Sequence, residues 1–438
     1  MTNSLKMKML YVVLGSVVAA SSASAKVYLN SMCTMNANSS QKAIEGDQNK
    51  DKKFPLASIS KIVTSLWAVE KLGPNYRFTT KLHVNKVGPD NYDVHIEGGR
   101  DPIFGRSAGY FLISELNRSG VDIKKIENLT FDENFLLEWG VEERGAIVGD
   151  TRYFKTIEDQ AEAVKNSLLA NFATAINKQA YNELRAQAAS PKINVTMVAN
   201  PTISIGRVEF LPKGSFRKSA TTTTLIYRSA PLHTILKNMN NKSNNHIADV
   251  LYWNLGGTEE FKKYVNTAMA LTTNEIDFNL GSGNNADYLY GGTEVYNRAS
   301  CETMIKVLYR LNNLLGKEGL ALSDVMAVAT TDSESSVRSY GGAMEKSTVA
   351  KTGTVNRAKT LAGTVSTQNG TIYFVVLMNM DVLSEQNSAT AQIKQKIINL
   401  IAKNGGPKKI QYDELLPLPF DAGSKLVNAN TIATGNKN

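Results

Sequence analysis

The chain contains few of the residue types that mark disulfide-rich or metal-binding proteins. Among its 438 residues are two cysteines, Cys33 and Cys301, and four histidines. Two cysteines are too few for a disulfide framework; they could pair in an oxidising compartment, or each could be a buried thiol, and the sequence does not decide between these. The histidines show neither metal-ligand spacing nor a Ser-His-Asp context. We therefore expect no metal site, and lysine is the more credible base for any serine nucleophile.

The sequence also lacks apolar runs long enough to cross a membrane. The run near the N-terminus covers residues 9–20, follows two lysines and precedes the small residues Ala23-Ser24-Ala25. A membrane-spanning helix needs about 20 apolar residues, so this pattern instead predicts a signal peptide over residues 1–25, cleaved after Ala25. We expect a periplasmic mature chain with no stable membrane span.

The charge balance is moderately basic. The formal net charge is +9 and falls to +7 when Lys6 and Lys8 leave with the signal peptide. A basic exported protein suits an anionic envelope polymer, but the charges are spread along the chain, which is typical of a solvated surface. No nucleic-acid-binding motif is visible, so we expect no nucleic-acid partner.

A helix that begins near Ser58 carries the first chemical signal. From Ile59 the apolar residues recur every three or four positions until Gly73-Pro74, which predicts a buried helix and its end. Residues three apart share a helix face, so the Ser58 hydroxyl and the Lys61 amine are within reach of each other. A lysine can accept the proton of a serine nucleophile if burial or nearby cations lower its pKa.

The spacing of Ser58 and Lys61 is weak evidence by itself. It occurs again at Ser39 with Lys42 and at Ser215 with Lys218, although neither pair opens a long apolar helix. A helix-start serine followed by a surface lysine would give the same pattern.

The middle of the chain mixes strand and helix patterns. They predict, in chain order, a hairpin of strands 78–84 and 92–96, a helix over 109–118, a strand over 126–131, one long helix or a helical pair over 157–184, and strands over 193–198 and 203–210.

The second chemical signal is Ser243-x-Asn245, which directly precedes an apolar helix pattern over residues 247–255. The hydroxyl can relay a proton and the carboxamide can hold a substrate amide through both donor and acceptor. An ordinary helix cap would explain the same residues, because Ser and Asn both favour helix starts.

The third signal is Lys351-Thr352-Gly353-Thr354, which precedes strongly strand-like sequence. This placement predicts a sheet edge, where backbone N–H groups are free and Lys351 supplies positive charge for a carboxylate.

The order of the three motifs in an exported chain resembles the penicillin-recognising acyl-serine transferases. The surrounding sequence is similar, more narrowly, to the penicillin-binding protein 4 type of D-alanyl-D-alanine carboxypeptidase and endopeptidase, peptidase family S13. This narrower resemblance rests on segments such as Phe54-Pro55-Leu56-Ala57-Ser58, Gly98-Gly99-Arg100-Asp101-Pro102, Gly281-Ser282-Gly283 and Leu361-Ala362-Gly363.

The resemblance implies an α/β (α+β) fold: a transpeptidase domain of the penicillin-binding-protein and β-lactamase type, with an antiparallel sheet covered by helices and interrupted by an inserted accessory domain. Residues 26–78 and 222–425 would form the discontinuous catalytic domain, 79–221 the accessory domain and 426–438 a polar tail. The family carries a third domain nested in the insertion, but residues 142–218 lack the expected sequence. We expect that nested domain to be reduced or absent.

The resemblance also implies an enzyme that hydrolyses D-Ala-D-amino acid bonds of peptidoglycan stem peptides and crosslinks through an acyl-serine intermediate. It needs no metal or organic cofactor, and β-lactams are covalent inhibitors. It assigns catalytic roles to Ser58, Lys61, Ser243, Asn245 and Lys351. It assigns substrate binding to Thr352, Gly353 and Thr354.

Three departures from the family pattern leave questions open. Asn244 and Leu280 stand where the family usually has Asp, and the acidic accessory-domain residue that holds the crosslinking diamino acid cannot be placed. The balance between endopeptidase and carboxypeptidase therefore stays open. A serine β-lactamase shares all three motifs, and a catalytically idle wall-binding or β-lactam-sensing protein is a further alternative. The sequence does not predict the oligomeric state.

Overall fold

The computed structural model describes residues 28–38, 42–118, 123–137, 157–172, 177–269, 275–283, 295–414 and 417–430. The predicted signal peptide lies outside these ranges. Within them helices combine with largely antiparallel sheets, which confirms the predicted mixed fold class. None of the helices in these ranges has the length and apolar character that a membrane crossing needs.

The elements are numbered in chain order. The strands are β1 Asn30–Asn36, β2 Glu45–Gly46, β3 Phe54–Pro55, β4 Thr79–Lys86, β5 Asn91–Glu97, β6 Lys125–Phe131, β7 Ser204–Phe210, β8 Thr223–Arg228, β9 Ile276–Asp277, β10 Arg298–Ala299, β11 Ala327–Val328, β12 Thr348–Val355, β13 Ala358–Thr367, β14 Gly370–Asn379 and β15 Val427–Asn428. The helices are α1 Ser60–Leu72, α2 Arg106–Arg118, α3 Ile157–Phe172, α4 Lys178–Ala188, α5 Leu232–Asn241, α6 Asn245–Asn254, α7 Gly257–Thr267, α8 Cys301–Lys317 and α9 Gln386–Lys403.

The first six-stranded sheet has the order β11-β12-β13-β14-β1-β2, and each neighbouring pair is antiparallel. Successive side chains of a strand point to opposite faces. Accordingly Ala362 and Val375 pack in a core with α1 and α8, whereas Leu361 and Val376 pack in another core with α9. Helices thus cover both faces of this sheet, which explains its nearly continuous apolar strands.

Helix α1 lies at the centre of the helical side of this sheet. Its side chains Ile62, Leu66 and Trp67 are buried in one cluster with α5, α6 and α8. Cys33 of β1 and Cys301 at the start of α8 form a disulfide that ties the sheet to this helical layer. The pairing that the sequence left open is therefore present in the structure.

The second six-stranded sheet has the order β15-β8-β4-β5-β6-β7 and its own hydrophobic core with α2, α3 and α4. The predicted hairpin is present as β4 and β5, and the pattern over 157–184 corresponds to a helical pair, α3 and α4. The predicted strand over 193–198 is wrong. Val195 and Met197 are buried in alternation, but the Val195 N–H bonds to the end of α4 and the Val198 N–H bonds to a side chain of α2.

The predicted domain boundaries remain a prediction, and two strand pairings cross them. β8, which follows predicted boundary 221, pairs with β4 in the second sheet. β15, within the predicted tail 426–438, pairs with β8 at the edge of the same sheet. Part of residues 142–218 lies outside the described residues, so the predicted loss of a nested domain also remains a prediction.

Candidate active site

Ser58 and Lys61 lie one helical turn apart, as their spacing predicts. A short 3-10 turn, Ala57–Ile59, leads directly into α1, so Ser58 stands at the helix start. The Lys61 Nζ atom is 3.1 Å from Ser58 Oγ. Lys61 is fully buried, whereas Ser58 is partly exposed. A hydroxyl that solvent or substrate can reach therefore contacts an amine that bulk water cannot.

Lys61 is held by two further oxygen atoms. Its Nζ atom is 2.7 Å from Asn245 Oδ1 and 3.2 Å from the carbonyl oxygen of Ser282. Asn245 is the first residue of α6, and Asn244 caps that helix by accepting a hydrogen bond from the Ile247 N–H group at 3.1 Å. Asn at this position thus performs the capping that Asp would also perform, so this departure from the family pattern leaves α6 and Asn245 in place.

The segment of residues 281–283 packs directly against the start of α1. Gly283 has φ +67°, and a Cβ atom there would lie 2.3 Å from Ser60 Oγ and 2.4 Å from Ala57 O. Only glycine fits such a conformation at such a distance. The family resemblance includes this segment, but no sequence pattern predicts that the Ser282 carbonyl contacts Lys61, because a backbone contact leaves no residue-type signal.

Ser243 forms a second pair of hydroxyl and lysine. Lys351 Nζ is 2.9 Å from Ser243 Oγ and 2.8 Å from the carbonyl oxygen of Thr352. Ser243 has φ +54°, a backbone conformation that non-glycine residues rarely adopt and that is often found at functional sites. Burial lowers the pKa of Lys351 well below its ordinary value, and the charges of Lys61 and Lys359 lower it further.

The strand β12 brings the third motif against the nucleophile. Its pairing with β11 involves Val349 and Ala350, and residues 351–355 continue beyond that pairing beside the turn before α1. A Cβ atom on Gly353 would lie 2.8 Å from the carbonyl oxygen of Leu56. Glycine therefore permits β12 to approach the Ser58 turn closely, and Thr352 and Thr354 share the opposite face of the strand.

Two polar side chains that the sequence did not indicate stand behind these threonines. Ser336 Oγ, from the loop between β11 and β12, is 2.5 Å from Thr352 Oγ1. Lys359 Nζ, from β13, donates to Thr354 Oγ1 at 2.6 Å. These two contacts depend on the path of a loop and on the register of two strands. A sequence motif predicts neither.

The competing serine–lysine pairs do not share this environment. Ser215 and Lys218 are both exposed on the second sheet's side of the molecule, and Ser39 lies outside the described residues. In the described part of the chain, no group of three or more His, Cys, Asp or Glu side chains could hold a metal ion.

The arrangement has the parts of a serine acyl-transfer site. One buried lysine contacts the accessible serine, a second buried lysine contacts another serine, and a strand edge with two threonines runs beside the turn that carries Ser58. Such a site can activate a hydroxyl, stabilise an oxyanion and hold a carboxylate.

Comparison with known proteins identifies the family. The sequence model of the D-Ala-D-Ala carboxypeptidase 3 (S13) family matches residues 24–198 and 214–403. The chain belongs to this family. No curated protein sequence matches this S13 chain.

Solved structures similar to this S13 chain include two proteins of Bdellovibrio bacteriovorus. Bd3459, a predatory peptidoglycan endopeptidase, is 56% identical, with a TM-score of 0.86 over 92% of this chain and 100% of that chain. Bd0816, a predatory endopeptidase solved in complex with immunity protein Bd3460, is 50% identical, with a TM-score of 0.85 over 91% of this chain and 100% of that chain.

A more distant similarity bears on the fold. Penicillin-binding protein 4 from Haemophilus influenzae is 18% identical, with a TM-score of 0.55 over 85% of this S13 chain and 96% of that chain. This shows the shared architecture that the sequence motifs imply.

Proposed function

We propose that the chain is an exported serine DD-peptidase that hydrolyses D-Ala-D-amino acid bonds of peptidoglycan stem peptides and crosslinks, and that penicillin acylates it. The observation that carries the proposal is the contact of the accessible Ser58 hydroxyl with the buried Lys61 amine, at 3.1 Å, in a chain of the S13 family.

Acylation begins at Ser58. Lys61 in its neutral form accepts the Ser58 proton while Oγ attacks the substrate carbonyl carbon. The backbone N–H groups of Ser58 and Thr354 stabilise the negative charge that develops on the carbonyl oxygen. Asn245 accepts a hydrogen bond from Lys61 through Oδ1, and its two amide N–H donors are then available for the substrate backbone.

Departure of the amine needs a proton, which Ser243 supplies. Its hydroxyl contacts Lys351, so a proton given to the leaving amine can be replaced from the Lys351 side. Thr352 and Thr354 hold the carboxylate next to the scissile bond, and Gly353 keeps that strand close to Ser58. Water then hydrolyses the ester and returns Ser58 to its free form.

Cleavage of crosslinks and action in the periplasm are the finer parts of the proposal. The 56% identical relative Bd3459 is a peptidoglycan endopeptidase, and its structure has also been solved as the penicillin G acyl-enzyme. Peptidoglycan lies outside the cytoplasmic membrane, which agrees with the signal peptide predicted over residues 1–25. The contacts described above support the roles proposed for the site residues.

Intact-mass spectrometry of the mature chain after incubation with penicillin G tests the nucleophile. We expect a mass gain of one penicillin molecule for the wild type and none for Ser58→Ala. Ser215→Ala is the matched control, because Ser215 and Lys218 have the same spacing on an exposed surface. Labelling of Ser58→Ala would overturn the assignment, and rapid turnover of penicillin by the wild type would favour a β-lactamase instead.

A further inference from the structure

Lys359 is placed opposite the third motif by the pairing of two strands. In the antiparallel pair β12 and β13, Thr354 and Lys359 stand directly across from each other. Directly paired residues of an antiparallel sheet extend to the same face. The Lys359 amine accordingly reaches Thr354 Oγ1 at 2.6 Å.

This contact fixes the direction of the Thr354 hydroxyl. A lysine side chain is only a donor in its charged form, so Thr354 Oγ1 is the acceptor of this hydrogen bond. The hydroxyl proton of Thr354 must then point away from Lys359. A substrate carboxylate beside β12 would receive that proton as a hydrogen bond, and a carboxylate is the acceptor that such a donor favours most.

Lys359 also adds positive charge on this side of the site. Its side chain is partly buried, and burial together with the charge of Lys394 from α9 lowers its pKa. Lys394 itself donates to the carbonyl oxygen of Ser339 and lies 4.2 Å from the centre of the Tyr340 ring. The charges of Lys359 and Lys394 together favour an arriving anion on this side of the site.

We propose that Lys359 is a positioning residue of the carboxylate subsite: it aims the Thr354 hydroxyl at the carboxylate next to the scissile bond and adds charge that attracts it. The enzyme would thereby select substrates whose leaving amino acid carries a free α-carboxylate. This inference rests on the proposed DD-peptidase function, and it concerns a residue outside the three motifs.

Paired substrates that differ only in this carboxylate test the inference. One peptide joins D-Ala to D-alanine and the other joins D-Ala to D-alaninamide; release of the amine is followed by mass spectrometry to give kcat/KM. Acylation rates with penicillin G and with its methyl ester provide the same comparison without peptide hydrolysis. The variants are Lys359→Met, Lys359→Arg and, as a control for lost charge, Arg357→Met at the exposed tip of the same hairpin.

We expect Lys359→Met to lower kcat/KM for the free carboxylate by about tenfold to a hundredfold, as for a lost hydrogen bond involving a charged group. The amide and the ester should lose far less, so the preference for the carboxylate should collapse. Lys359→Arg should restore part of it, and Arg357→Met should leave it unchanged. A melting temperature equal to that of the wild type excludes a folding defect.

Three results would overturn the inference. An unchanged carboxylate preference in Lys359→Met, beside an active wild type, would refute the role of Lys359 and leave the proposed function intact. An equal loss on both members of each pair would indicate a general structural role. A wild type that neither cleaves the peptides nor is acylated would refute the proposed function, and the inference with it.

Discussion

Replacement of Lys237 by methionine, which removes its buried amine, should cost the protein a large part of its stability. Lys237 lies on α5, and its Nζ atom donates to the carbonyl oxygens of Ser323 and Met326 at 2.8 and 2.6 Å and to Asp332 Oδ2 at 2.7 Å. Both charged side chains are essentially inaccessible to solvent, at 0% and 1% exposure. Lys237→Met would leave a buried carboxylate without its cation.

The expected loss is about 3–5 kcal/mol, the cost of removing one partner from a buried ion pair. Whole domains are stabilised by only about 5–15 kcal/mol, so the variant would approach the unfolding threshold. Asp332 keeps the Tyr412 hydroxyl at 2.8 Å and the Val328 N–H group at 2.6 Å, which limits the loss without replacing the missing charge.

Urea unfolding followed by tryptophan fluorescence measures this loss, because Trp67 is buried in the core against which α5 packs. Lys242→Met is the matched control: Lys242 follows the same helix and pairs with Glu334, two residues after Asp332, but both side chains are about half exposed. An exposed pair is worth about 1 kcal/mol or less. If Lys237→Met lost no more stability than Lys242→Met, the reasoning from buried charge would be wrong.

Three other variants give predictions of known sign. Burial raises the pKa of Asp101 from 3.8 to about 7, so the folded state binds the proton more tightly than the unfolded state. The free energy of unfolding therefore falls as pH rises from about 4 to about 7. Asp101→Asn should remove up to about 4 kcal/mol of this pH dependence, as measured by thermal melts from acid to neutral pH. Burial lowers the pKa of Lys351, so a charged lysine at this position destabilises the folded state at neutral pH. Lys351→Met should therefore melt at a higher temperature than the wild type and lose penicillin acylation. The difference in melting temperature between the variant and the wild type should shrink as pH rises. The disulfide joins Cys33 and Cys301, which are 268 residues apart in the sequence. Replacement of both cysteines by serine should lower the free energy of unfolding in urea by about 2–4 kcal/mol. An unchanged urea midpoint would contradict this prediction.

Local patterns in the sequence predicted the elements that carry the nucleophile. The apolar spacing after Ile59 and the stop at Gly73 correspond to α1, which ends at Leu72. The strand-like sequence that follows Lys351-Thr352-Gly353-Thr354 includes β14, whose side chains are buried on both faces. These signals are local, because periodicity and helix ends depend on residues within a few turns of each other.

Features that depend on distant residues were not predictable in this way. The alternation over 193–198 reflects the burial of Val195 and Met197, but the backbone hydrogen bonds of this segment go to other elements and no strand forms. The partners of Lys359 and Ser336 depend on the register of β12 with β13 and on the path of a loop. Tertiary packing decides such contacts after local preference has set the elements.

The most direct test of the account is a time course of the purified mature chain on crosslinked peptidoglycan, with muropeptides separated and identified by mass, beside Ser58→Ala. We expect crosslinked dimers to decrease and monomers to increase with the wild type alone. Loss of terminal D-Ala without loss of dimers would restrict the enzyme to carboxypeptidase activity. Unchanged muropeptides, from a chain that still binds penicillin, would contradict the account and favour a wall-binding or β-lactam-sensing protein.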